Sequence, residues 1–554
     1  MEENRGDYIE SIDGLRAVAV LCVLLFHLDI SWFRGGYIGV DAFFVISGFV
    51  ITRKIAREVS ERQFNLADFY FWRIARLVPA LLAVVLLTLL AGYFLLGPDD
   101  LARLGRVSIW TVLPASNVVF WLESGYFDAD AAYKPLLHTW SLGVEEQFYF
   151  VWPLLILFAL HRFGRHGALV TAAGAGLASL GAALAFNAEH ADAVFFLTPF
   201  RVFQFVIGAL LALGGIGRGS GMLTSGLTGV ALLAIILISA TAGHGDVPYL
   251  YAAVAPALAT GAAIWSANSR LANLALASGP LVWVGRRSYS IYLVHWPLVV
   301  FWKMATDYTL SPVEAAVALP ILIGGGALLH WAVERRFRFR KGQSRRFRSS
   351  VLAGVGATGA AAILAGTLFW AHKGYPERVP AELRSIAEDT RKGWAARKIL
   401  LRSGTCNFQI NTFKASEYDA AACSSPPGDR KSYLIIGDSI ASDTYLIFTR
   451  AFPELYFGQL TIPGCRLQLP ARFDGDSPCR QLFALGLGKL AFKGGYDGVI
   501  LASNWIGGRY DLIDDLVKHF AGKGLEIVLT GQRVQFADRL PAIFSSALSK
   551  EAAA

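Results

Sequence analysis

The sequence predicts a polytopic α-helical membrane bundle of about eleven spans, followed by an α/β domain on the far side of the membrane. Three observations predict it. Of the 554 residues, 54% are hydrophobic and only 17% are charged, and the mean hydropathy is +0.46. Apolar runs of bilayer length recur up to about residue 371, whereas the chain beyond residue 373 mixes polar and apolar residues as a water-soluble domain does. Cys406, Cys423, Cys465 and Cys479 all fall in that later part, an even number in loop-like surroundings, which fits two disulfides in an oxidising compartment.

The spans are expected at about 13–32, 36–53, 77–97, 146–162, 168–187, 197–215, 222–241, 247–266, 288–305, 312–333 and 350–371. The segment 106–122 is read as a helix lying at the interface or dipping partway in, because counting it would reverse everything downstream. Charge supports the assignment. With a cytoplasmic N-terminus, Arg53, Lys54, Arg57, Arg62, Arg73 and Arg76 lie inside, as do Arg162, Arg165, Arg286, Arg287 and the basic run at 334–348. The net charge of +9 is therefore read as a topological signal and not as a nucleic-acid surface. No cleavable leader is expected, since no small-residue cleavage site follows the first apolar run.

The domains are expected as a membrane bundle at 1–340, a last span at 341–372, a linker region at 373–424 and an α/β domain at 425–554. In the last, YLIIGDS, LYFGQLT, DGVILAS and LEIVLTG alternate with helix-like segments near 442–452, 480–493 and 510–523, the pattern of a parallel sheet with crossover helices. The simplest disulfides pair Cys406 with Cys423 and Cys465 with Cys479, one of three pairings that four cysteines allow. No pair has the C-x-x-C spacing of a zinc site, so no metal is expected.

Polar residues inside the apolar runs are the candidates for chemistry, because an ionisable group in hydrocarbon is costly. Arg16 and His27 are eleven residues apart, within about 20° of one helix face and about 16 Å apart along it; Asp41 follows in the second span. The competing reading is that His27 only bonds a neighbouring helix. Arg73 and Arg76, one turn apart just before the third span, have the geometry to clamp a phosphate or diphosphate, or are ordinary cytoplasmic anchors. His138, Ser141, Glu145 and Glu146 precede the next span, where the glutamates either pair with a cation or cap the helix. Ser288, Tyr292 and His295 share a face at three- to four-residue spacing. In the α/β part, Ser439 lies on the turn after the first strand beside Asp438, the setting of a nucleophilic serine or of a plain turn.

Taken together, DGLRAVAVLCVLLFH, GVDAFFVISGF, FWRIARLVPA, HTWSLGVEEQFYF and SYSIYLVHWPL, in that order, resemble the acyltransferase family 3 membrane enzymes over about residues 8–340. The resemblance implies a bacterial inner-membrane O-acyltransferase, in first place an O-acetyltransferase. The donor would be cytoplasmic acetyl-CoA and the acceptor a hydroxyl of a cell-surface or exported polysaccharide or glycolipid. It also implies catalytic roles for Arg16 and His27 and donor binding by Arg73 and Arg76. His27 would act as general base or transient nucleophile, Glu145 or Glu146 would orient an imidazole, and Asp41, His138, Ser141, Tyr292 and His295 would support the site. With Gly464 in TIPGC and Asn504 in LASNW, the α/β part resembles the flavodoxin-like SGNH hydrolase domain fused to many of these enzymes. That likeness makes Ser439 a nucleophile and Gly464 and Asn504 oxyanion groups, with Asp438 in support.

The match stops short of the Asp-x-x-His pair that completes that family's triad. The expectation is that the chain ends before it, or that the domain binds acceptor without catalysis. His519 is expected at a solvated helix position and His372 beside the last span, neither where the base belongs. A second class of function, a transporter or flippase using the same buried charges, would release no free coenzyme A.

Overall fold

A computed structural model describes residues 8–124, 134–187, 190–215, 221–242, 249–305, 310–337, 344–379, 397, 399–408, 415–465, 467–473, 477–503 and 510–530. The described residues divide into two compact units, one up to Arg378 and the other from Val379.

The first unit is helical: α1 Glu10–His27, α2 Gly39–Ser60, α3 Leu66–Leu95, α4 Pro98–Val112, α5 Ser116–Glu123, α6 Thr139–Phe186, α7 Ala191–Phe196, α8 Val202–Gly214, α9 Met222–Thr241, α10 Tyr249–Trp265, α11 Arg270–Ala275, α12 Gly279–Gly285, α13 Ser288–Ala305, α14 Pro312–Leu329 and α15 Arg345–Ala371. Among the described residues, α3, α6, α9, α15, and α14 with the turn that extends it to Glu334, are long and apolar enough to cross a membrane, and α8 and α10 contain shorter apolar helices. Helices α1, α2 and α13 have 18, 22 and 18 residues but carry charged or polar side chains, among them Asp13, Arg16, Asp41 and His295.

Several boundaries differ from the sequence reading for local reasons. The first span stops at His27, where the chain turns through two short 3-10 segments before α2. Helix α3 starts at Leu66 because the Asn65 side chain accepts the Asp68 N–H and caps it, so Arg73 and Arg76 lie within the helix and not ahead of it. Helix α6 starts at Thr139, which puts Glu145 and Glu146 two turns inside and rules out a capping role. Its 48 residues break at Gly164, with φ 64°, into two helices of span-like length. The ambiguous 106–122 segment is split between α4 and α5, of 15 and 8 residues, each too short to cross as one straight helix.

Small residues set a close helix contact. A Cβ on Gly48 of α2 would sit 1.9 Å from the Phe205 carbonyl oxygen, and one on Gly208 of α8 would sit 1.9 Å from that of Val45. The two glycines let the backbones touch, as small residues do where hydrocarbon offers no solvophobic drive. Beside that crossing, Phe205 stacks on Phe44 and Phe148, with centroids 4.6 and 4.1 Å apart.

The second unit is α/β. Strands β1 Ser432–Gly437, β2 Tyr456–Thr461, β3 Gly498–Ala502 and β4 Glu526–Leu529 form a parallel sheet in the order β2-β1-β3-β4. Helices Ser439–Ala451 and Tyr510–Phe520 connect strands β1 to β2 and β3 to β4. Strand β1 is buried along its whole length, as a central parallel strand must be. At the edge, Lys431 and Tyr433 donate to the Glu526 carboxylate, and the Lys431 hydrogen bond is the main reason that its pKa falls below the ordinary glutamate value. Part of the stretch expected as a linker belongs to this unit: Cys406, Phe408, Tyr418 and Cys423 are buried in its core. Cys406 is bonded to Cys423 and Cys465 to Cys479.

Gly208→Leu is expected to force α2 and α8 apart at a cost of about 1–3 kcal/mol or more, read as a lower melting temperature in detergent. Gly174→Ala, where an added Cβ meets nothing within 4 Å, serves as the control and leaves melting nearly unchanged.

Candidate active site

In the helical unit, α13 carries the centre of the site. Tyr292 and His295 lie one turn apart, both buried, and face the C-terminal end of α1 and the turn before α6. His27 Nδ1 lies 3.1 Å from His295 Nε2, and the His27 ring packs on Trp296 at a centroid distance of 4.4 Å. His295 Nδ1 is hydrogen-bonded to the Tyr292 carbonyl oxygen, which can only accept. That bond fixes the tautomer. Nδ1 of His295 carries the proton, so its neutral Nε2 accepts from His27 Nδ1–H, and the lone pair of neutral His27 is left on Nε2.

A second layer surrounds the pair. The His138 ring lies 5.6 Å from that of His295 and is buried. The Tyr292 hydroxyl donates to the His138 carbonyl at 3.0 Å and meets Ser141 Oγ at 2.7 Å. Trp296 Nε1 donates to the Lys134 carbonyl at 2.8 Å, fixing the ring on which His27 rests.

Arg16 is on the same unbroken α1 and pairs with Asp13 at 3.3 Å. Glu145 accepts hydrogen bonds from Ser47 of α2 and from Tyr149. Arg73 is buried, with its guanidinium carbon 3.2 Å from the Tyr149 ring centroid, and it interacts electrostatically with Glu146. Arg76 acts on Glu334, which is 1% exposed and accepts from Ser290 at 2.7 Å while lying 2.8 Å from His330 Nδ1. Asp41 pairs with Arg201 at 2.9 Å and accepts from Gln204 at 2.7 Å, all three buried.

Ser47, Tyr149, Arg201, Gln204, Ser290, His330 and Glu334 were not singled out from the sequence. Arg201, His330 and Glu334 carry the signal that identified His27, a charged or titratable group inside an apolar run. The partners of Ser47 and Gln204 lie on other helices and leave no mark in local spacing.

In the α/β unit, Ser439 opens the helix after β1. Asp438 caps that helix by accepting the Ile440 N–H at 2.8 Å, and its other oxygen accepts from Ser503 at 2.6 Å. Gly437 is required where it stands, because a Cβ would meet the Ala502 carbonyl oxygen at 1.7 Å. Ile462 N–H donates to the Gly437 carbonyl at 2.9 Å, so the turn bearing Gly464, with φ 91°, begins beside the Ser439 turn at the carboxyl ends of the strands. Asn504 lies outside the described residues. His519 is not a solvated position: its Nε2 is hydrogen-bonded to the Leu487 carbonyl at 2.9 Å and its ring packs on Phe492. His372 is exposed and stacks on Tyr375.

The Asp41–Arg201 pair gives a stability test. Asp41→Ala strands a buried guanidinium and is expected to cost about 3–5 kcal/mol, seen as a lower melting temperature. Asp41→Ala with Arg201→Met is expected to recover most of that loss.

Residues 9–333 match the family model of acyltransferase 3, an acyltransferase domain. Similar proteins include O-acetyltransferase OatA of Staphylococcus aureus (strain NCTC 8325 / PS 47), 32% identical over 311 residues, 53% of this chain and 51% of that protein. Peptidoglycan O-acetyltransferase OatA of Listeria monocytogenes serovar 1/2a (strain ATCC BAA-679 / EGD-e) is 31% identical over 329 residues, 56% of this chain and 52% of that protein. The chain spans about half the length of the curated relatives it matches. No solved structure matches it. Since the family match extends from residue 9 to residue 333, more than half of the 554, this chain belongs to the acyltransferase 3 family.

Proposed function

We propose that this protein is a membrane O-acetyltransferase that moves an acetyl group from cytoplasmic acetyl-CoA to a hydroxyl of a cell-surface polysaccharide of the peptidoglycan type. The observation that carries the reading is the His27–His295 pair, 3.1 Å apart within the helical unit of an acyltransferase family 3 chain. The acceptor class is taken from the printed name of the Listeria relative.

In this reading His27 Nε2 supplies the lone pair. It removes the proton of the acceptor hydroxyl as the oxygen attacks the thioester carbonyl, or attacks that carbonyl itself and passes the acetyl group on. The positive charge that develops on His27 is shared through Nδ1–H with the Nε2 of His295, and the coenzyme A thiolate leaves with a proton. His295 is thus a positioning residue that holds one tautomer, as a hydrogen-bonded partner orients a catalytic imidazole elsewhere. Arg73 and Arg76 are assigned to the donor side, and Arg16 to the same face of α1 as His27. The transmembrane arrangement is proposed as eleven spans in the inner membrane, with a cytoplasmic N-terminus and the α/β unit outside, where its two disulfides form. That unit is proposed as an SGNH-type domain in which Ser439 receives the acetyl group or helps to seat the acceptor.

The assay is release of free coenzyme A by purified protein in lipid, given acetyl-CoA and peptidoglycan fragments. The native protein is expected to release it in proportion to acceptor, and His27→Ala to lower kcat by about 10³-fold or more. His295→Phe, which keeps ring volume and removes the acceptor for His27 Nδ1–H, is expected to lower kcat by roughly 10²-fold with donor KM little changed. Undiminished turnover in His27→Ala would overturn the proposal.

A further inference from the structure

The helical unit has a second polar feature apart from the histidine pair. A cavity of about 730 Å³ is walled by Arg286, Arg287, Arg335, His330, Trp283 and Trp331, with Glu10 as the one carboxylate on its lining. We infer that this cavity is a binding site for a phosphate-bearing anion, either the nucleotide phosphates of an acyl donor or the headgroup of an anionic lipid.

Local structure explains how these side chains converge. The helical run of α14 ends in a π-helical turn, His330–Glu334, whose wider winding resets the register. His330, Trp331 and the following Arg335 line the cavity, while Glu334 is turned into the core, where it accepts from Ser290. The opposite wall is α12 and the residues after it. There Arg287 donates to the Trp283 carbonyl at 2.8 Å and its guanidinium carbon lies over the Trp283 ring, 4.1 Å from the centroid. Stacking of this kind holds a guanidinium still, which lowers the ordering cost of binding an anion.

Charge is unbalanced in favour of an anion. Arg286 is partly answered by Glu10 and Asp13, each 3.7 Å away, and His330 is answered by Glu334. Arg335 has no carboxylate beside it among the described residues. Paired arginine forks match phosphate geometry, and Trp283 and Trp331, 42% and 57% exposed, offer ring faces to a base or an acyl stem. His330 of the cavity wall lies 2.8 Å from Glu334, the carboxylate on which Arg76 acts. The nucleotide source deepens the donor side of the proposed function and rests on it; the lipid source does not.

The test measures binding without turnover. The full chain is placed in phosphatidylcholine nanodiscs and titrated with coenzyme A, following tryptophan fluorescence. In parallel, retention of phosphatidylglycerol is read by native mass spectrometry from mixed nanodiscs. Arg335→Gln and Arg287→Gln are expected each to weaken coenzyme A binding about tenfold if the nucleotide is the occupant, or to lose bound phosphatidylglycerol if the lipid is. Should Arg335→Gln fail to fold, Arg335→Lys and the salt dependence of the native protein decide, since affinity must fall as ionic strength rises. Unchanged coenzyme A affinity together with unchanged phosphatidylglycerol retention, or affinity indifferent to salt, would overturn the assignment. Either result stands apart from the acetyltransferase reading, because no catalytic step is measured.

Discussion

The cost of leaving a polar group without a partner in hydrocarbon organises the helical unit. Several of the buried charges and imidazoles are held by side chains from another helix or a neighbouring turn. Asp41 is held by Arg201 and Gln204, Glu145 by Ser47 and Tyr149, Glu334 by Ser290 and His330, and His27 by His295. These contacts tie α2 to α6 and α8, and α13 to α1 and to the end of α14. The same requirement that stabilises the bundle therefore also fixes the geometry of its polar interior, and a single removed partner disturbs both.

Within that interior, the His27–His295 contact differs from the others because one of its ends is chemically directed. A carbonyl oxygen can only accept, so the Tyr292 carbonyl dictates the tautomer of His295, and His295 in turn dictates that of His27. A backbone atom on α13 thus decides which nitrogen of a side chain on α1 is basic. Such control costs no charge in the apolar medium, which suits a site where an ion pair would be expensive to keep desolvated. His138 completes the surround, its ring 5.6 Å from that of His295.

Much of the fold was legible in the sequence because the signals are local. The four strands of the α/β unit and the helices between them follow from alternating apolar runs and glycine-bearing turns. The sequence placed α13 at the bounds the structure has, since Arg286, Arg287 and the periodic Ser288, Tyr292 and His295 mark its start. Boundaries failed where a cap was overlooked, since Asn65 with Asp68 marks the true start of α3, whereas the break at Gly164 falls between the two spans expected at 146–162 and 168–187. Partners across the bundle were not legible. His27 and His295 are 268 residues apart, and periodicity can place each on a helix face without saying which faces meet. The burial of Arg73 against Tyr149 escaped the sequence reading for the same reason.

The central claim is that a hydrogen-bonded chain from the Tyr292 carbonyl through His295 leaves the basic nitrogen of His27 at Nε2. Nitrogen-15 chemical shifts of selectively labelled histidine in lipid, assigned with His27→Asn and His295→Asn, measure this directly. At neutral pH the account predicts both rings neutral and protonated at Nδ1, with the His27 Nδ1 shift moving when His295 is replaced. A His27 ring protonated at Nε2, or one whose shifts ignore the loss of His295, would contradict it.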